Sequence, residues 1–168
     1  MQKIANYIDH FTEQTGKYVS WISLILVALI GVDVVLRYAF SWSSSANQEL
    51  EWHLFAALFL LGSAYALKHD KHVRVDVFYS RFSDTKKAWV NLIGTMIFLI
   101  PFCIVMIKTS IPFVIDAWYI SESSPEPGGL PHRFIVKSTI PLGALLLLIQ
   151  AIAQGLKALS TILNIEIK

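Results

Sequence analysis

The sequence predicts an all-α integral membrane protein of four transmembrane helices, preceded by a short amphipathic helix, with both termini on the cytoplasmic side. Three observations lead there. Of 168 residues, 55% are apolar and only 15% charged, and the mean hydropathy is +0.55, so most of the surface is suited to lipid. Apolar runs near the length needed to cross a ~30 Å hydrocarbon core recur four times. Lysine and arginine gather in one short connection and are missing from another, which orients the spans.

Residues 1–17 place Ile4, Tyr7, Ile8 and Phe11 at helical spacing, with Lys3, Asp9, Glu13 and Lys17 elsewhere. This pattern predicts an amphipathic helix at the interface. Residues 18–40 form the first span. The run is longer than a signal-peptide core, and SWSSSANQE after it offers no small-x-small cleavage pattern, so it is expected to be retained. The second span covers 51–67. The third covers 88–107, and its apolar character extends to 120 beyond Lys108. Pro101 and Pro112 fall in this stretch, so the part after Lys108 is either a tilted extension or a separate interfacial piece. The fourth span covers 136–162, with Lys157 snorkelling at one end. The whole chain, 1–168, reads as a single membrane domain.

The 68–87 connection carries Lys68, Lys71, Arg74, Arg81, Lys86 and Lys87, whereas the connection between spans one and two has no lysine or arginine. The basic loop is therefore placed in the cytoplasm and the Pro- and Gly-rich loop 121–133 outside. Trp21, Trp42, Trp52, Trp89 and Trp118 fall near span ends, as an aromatic belt requires. A formal net charge of +2, with the basic residues in one loop, argues against a nucleic-acid partner. Cys103, the single cysteine, cannot form an intramolecular disulfide and reads as a small core hydrophobe.

Few residues offer chemistry. Asp33 and Arg37 stand four apart on the first helix and read best as a structural ion pair, since Arg37 is near enough to the helix end to snorkel; a functional pair is the sharper alternative. Glu49 and Glu51 either stabilise the N-terminal dipole of the second helix or, opposite Arg37 on the outer face, meet an external partner or a companion subunit. His10 and His132 lie outside the spans, His69 and His72 in the basic loop, and only His53 near a helix end, so paired haem ligation is not expected. No H-E-x-x-H, G-x-S-x-G or phosphate-binding loop occurs, so neither catalysis nor a metal or cofactor site is expected. Gly62, Ser63, Ala64 and Ala66, with Gly31, Gly94, Gly143 and Gly155, mark small-residue faces for close helix approach.

Taken in order, R-Y-A-F at Arg37 to Phe40 with Trp42, Q-E-L-E-W at Gln48 to Trp52, L-G-S-A-Y at Leu61 to Tyr65, H-V-R-V-D at His72 to Asp76 and G-G-L-P-H-R-F-I-V-K-S-T-I-P-L-G from Gly128 to Gly143 resemble the small permease (Q-type) subunit of tripartite ATP-independent periplasmic (TRAP) transporters. That resemblance runs from about Asp33 to Gln150. It implies a bacterial inner-membrane subunit paired with a large permease subunit that carries the substrate and sodium sites, and a periplasmic binding protein that delivers an organic acid anion. This chain would be the fixed scaffold. Arg37, Trp42, Glu49, Glu51 and Trp52 would lie near binding-protein docking, and His72, Arg74 and Asp76 in the cytoplasmic loop. Two rival classes share the hydropathy profile. A self-assembling exporter would need a deep ionisable residue, for which Asp33 is the candidate. A membrane anchor or assembly subunit of a respiratory complex would be expected to purify with haem or quinone.

Overall fold

A computed structural model of the chain describes residues 1–69 and 82–163. Four helices long and apolar enough to cross a membrane make up the described residues: α1 (Gln2–Phe40), α2 (Ser45–Lys68), α3 (Asp84–Tyr119) and α4 (Phe134–Ile162). The expected loop residues His72, Arg74 and Asp76 lie outside the described residues.

The amphipathic segment at the N-terminus is not a separate helix. Nothing between Gln2 and Phe40 breaks the helical hydrogen-bond ladder, so α1 runs unbroken through 39 residues, about 58 Å at 1.5 Å per residue. Ile4, Tyr7 and Phe11 face outward, while Ala5, Thr12 and Gly16 are buried. The outward side is mixed, with Lys3, Asn6, His10, Gln14 and Lys17 also exposed on it. Apolar and charged side chains on one outward side fit the membrane–water interface, while small residues make the close contact with the bundle.

The stretch after Lys108 is a continuation of the third helix, and neither proline divides it. Thr95–Leu99 forms a π turn, in which the Ile100 amide donates to the Thr95 carbonyl. The altered register falls just before Pro101, which has no amide to donate. Beyond it the helix runs through Pro112 to Tyr119, with the Thr109 and Ser110 hydroxyls donating back to the Val105 and Met106 carbonyls at 2.9 and 2.5 Å.

The fourth helix is the hub. It packs against the other three, whereas α1 adds only α2 to that contact, and α2 and α3 each lean on α4. Its buried positions are mostly small: Gly143, Ala144, Ala151, Ala153, Gly155, Ala158 and Ser160. At Gly143 a β-carbon would lie 2.6 Å from the Leu60 carbonyl oxygen, so the backbones of α2 and α4 meet only because that position is glycine. Gly31 and Gly94 face open space instead. Leu67, Cys103, Leu147 and Ala151 form the apolar centre, and Cys103 is fully buried there. All five tryptophans expose their rings.

Candidate functional site

At the end of the bundle where α1 meets α2 and α3 meets α4, the 121–133 loop is folded against the start of α2. Ser41 adopts the left-handed conformation (φ 50°) and stops α1, and the Trp42 amide donates to the Leu36 carbonyl at 3.2 Å. The chain then turns within four residues into α2, whose first turns present Glu49 and Trp52 to the loop.

Glu49 is the centre of this arrangement. Its carboxylate accepts hydrogen bonds from the Ser124 hydroxyl and from the Leu130 amide, the latter at 2.7 Å. The loop closes on itself around that anchor: Ser124 donates its amide to the Leu130 carbonyl at 3.0 Å and Arg133 to the Glu122 carbonyl at 2.9 Å. Gly129 passes so close that a β-carbon would sit 2.9 Å from the Glu49 carboxylate and 2.4 Å from the Ser124 hydroxyl. Glycine is needed there for room. Glu49 precedes the apolar run of α2, and the Ser124 hydroxyl, then the Leu130 amide, hold its carboxyl below the ordinary carboxylate range. At the loop base the Lys137 ammonium pairs with Glu122 and stands 3.8 Å from the Phe113 ring centroid, while the Arg133 guanidinium stands 5.6 Å from that of Trp52.

The expected outer-face residues thus separate into two groups. Trp42, Trp52 and Arg37 present exposed surface. Glu49 is 7% exposed and is engaged within the chain, so its carboxylate is not offered outward. Glu51 has one carboxylate oxygen buried without a hydrogen-bond partner. Arg37 pairs with Asp33, which is 2% exposed and leaves its second oxygen unpartnered.

The opposite end carries a polar cluster that sequence reasoning missed. The Thr12 hydroxyl donates to the Gln150 carbonyl oxygen at 2.7 Å, the Gln150 amide donates to Asp9 at 3.0 Å, and Lys157 pairs with Asp9. Gln2 reaches Ser160 at 3.0 Å. Nearby, Glu13 receives Lys68 at 2.5 Å and His69 at 3.0 Å, joining α1 to the end of α2. Lying before the apolar run of α1, Glu13 is held at about 2, chiefly by the hydrogen bond from Lys68. The signal in the sequence was a glutamine inside L-L-L-L-I-Q-A-I-A: a polar side chain in an apolar span needs an internal partner. Among the described residues no group of three or more His, Cys, Asp or Glu is gathered as metal ligands would be.

Comparison with known proteins agrees with this architecture. A family model described as the DctQ component of tripartite ATP-independent periplasmic transporters matches residues 26–161. A protein of Haemophilus influenzae, named as a candidate TRAP transporter small permease protein, is 27% identical over 147 residues, covering 88% of this chain and 89% of its own length. No solved structure matches the chain.

Proposed function

The chain belongs to the DctQ-component family of tripartite ATP-independent periplasmic transporters, and from that premise we propose that it is the static scaffold of a sodium-driven importer of organic acid anions. In this reading a large permease subunit binds this chain along its outward apolar faces and carries the substrate and sodium sites, and a periplasmic binding protein delivers the anion. The chain itself needs no cofactor and catalyses no reaction. It sits in the bacterial inner membrane with both termini in the cytoplasm, as the lysine-rich 68–87 connection favours.

The observation that carries this reading is the contrast between core and surface. α1 and α3 turn Trp21, Val27, Val35, Phe98, Phe102 and Val105 outward, while the chain's own packing uses mainly the small residues of α4. A chain whose larger side chains face away from its core can meet both lipid and a larger subunit. The exposed rings of Trp42 and Trp52 and the Glu49-anchored loop would form the surface toward the binding protein, with Arg37 at its edge.

The test is to purify the tagged chain with and without the co-expressed large permease, then measure uptake in proteoliposomes supplied with binding protein and a sodium gradient. Uptake that requires both membrane chains and sodium is the expected result. Uptake by this chain alone, or failure of the two to associate, would overturn the scaffold role.

A further inference from the structure

α2 and α3 both pack on α4, and near the 121–133 loop they leave a groove of about 450 Å³ between them, within the roughly 300–1,000 Å³ typical of small-ligand sites. Ala56 and Leu60 of α2, Phe113 of α3, and Val136 and Ile140 of α4 give it apolar walls. Thr139 also lines it, but its hydroxyl is already donated to the Val136 carbonyl at 2.6 Å. The interior therefore suits hydrocarbon.

The mouth is different. Lys137 and Glu122 neutralise each other there. Glu49 and His53 each interact electrostatically with Arg133, but the Glu49 carboxylate takes its hydrogen bonds from Ser124 and Leu130. Arg133 makes no ion pair among the described residues and is held over the Trp52 ring, at the edge of the groove. An apolar channel with a guanidinium at its entrance is complementary to a molecule with a long apolar chain ending in an anion.

We propose that this groove is a phospholipid site, with one acyl chain between α2 and α3 and the phosphate on Arg133. The bilayer is the source, because the groove is built from three membrane-spanning helices beside their interfacial ends. The site requires only the membrane placement of the chain, so its failure and that of the scaffold role are separable.

The full-length chain, purified in mild detergent and delipidated, would be titrated with dioleoyl phosphatidylglycerol and with dioleoylglycerol, and bound lipid counted by native mass spectrometry. The phospholipid should bind one site about ten-fold more tightly, the size expected of one charge-assisted contact. Arg133→Ala should remove that preference, and Ala56→Trp should weaken both lipids by obstructing the groove. Equal binding of the two lipids by the unaltered chain would overturn the site without reliance on any variant. Oleate binding as tightly as the phospholipid would overturn the phospholipid assignment. In cells that also make the large permease, a photo-crosslinking residue at Thr139 should label lipid, and labelling of the permease instead would assign the groove to protein.

Discussion

The two ends of the bundle are secured by different chemistry. At the loop end the Glu49 carboxylate receives neutral donors from a hydroxyl and a backbone amide, beside one ion pair of Lys137 with Glu122 at the loop base. At the other end side chains meet across helices, through Asp9 with Lys157, Glu13 with Lys68 and Thr12 with Gln150. Backbone hydrogen bonds fix the path of a loop, whereas side-chain pairs fix the distance between helices that would form anyway. The first arrangement therefore defines a surface, and the second holds the extension of α1 against α4.

Replacing Gly143, which lies between the two ends, should affect both. Gly143→Val would drive a side chain into the Leu60 backbone, and overpacking of this kind costs roughly 1–3 kcal/mol, with more expected where backbone cannot yield. Thermal unfolding of the purified chain in detergent should show the largest loss of the series. Glu49→Ala should act on the loop end alone. It leaves the Leu130 amide and Ser124 hydroxyl without their acceptor, a penalty of about 1–3 kcal/mol, and should open the loop to cleavage by a glutamate-specific protease at Glu122 and Glu126. Unchanged cleavage would mean that the loop holds its shape without Glu49.

Gln150→Leu probes the other end. Interhelical hydrogen bonds in membranes contribute roughly 0.6–2 kcal/mol, so residues 2–16 should exchange their amide hydrogens faster while the loop stays protected. Acid should loosen the loop end more gently. The Glu49 carboxyl titrates below its usual 4.5, so its contribution is complete above that value and is lost as the pH falls through the lower folded one. Loop cleavage by an acid-tolerant protease should rise in that window, and in Glu49→Gln the rise should vanish. The smallest effect on the chain itself is expected from Phe98→Ala on the outward face of α3, under about 0.5 kcal/mol as at other exposed positions. If that face meets the large permease, co-purification should drop although the melting temperature does not.

Sequence alone determined the four membrane-crossing helices, because apolar length and the satisfaction of backbone hydrogen bonds leave a bilayer few alternatives. The ordered motifs from Arg37 to Gly143 likewise sufficed to place the chain near its family, now supported by the match over residues 26–161. Periodicity could also locate an amphipathic N-terminal helix, but not its junction or its facing: whether Ile4 and Tyr7 turn in or out depends on which side meets the bundle, and α4 decided it by offering Gln150, Lys157 and Ser160 to Thr12, Asp9 and Gln2. The prolines of α3 were ambiguous for a similar reason, since a π turn and packing on α4 are needed to carry the helix through them. Only the tertiary structure decided the role of Glu49. Its partners Ser124 and Leu130 are 75 and 81 residues away, and a carboxylate at a helix start looks the same in sequence whether it faces solvent, a partner protein or, as here, a loop folded back onto it.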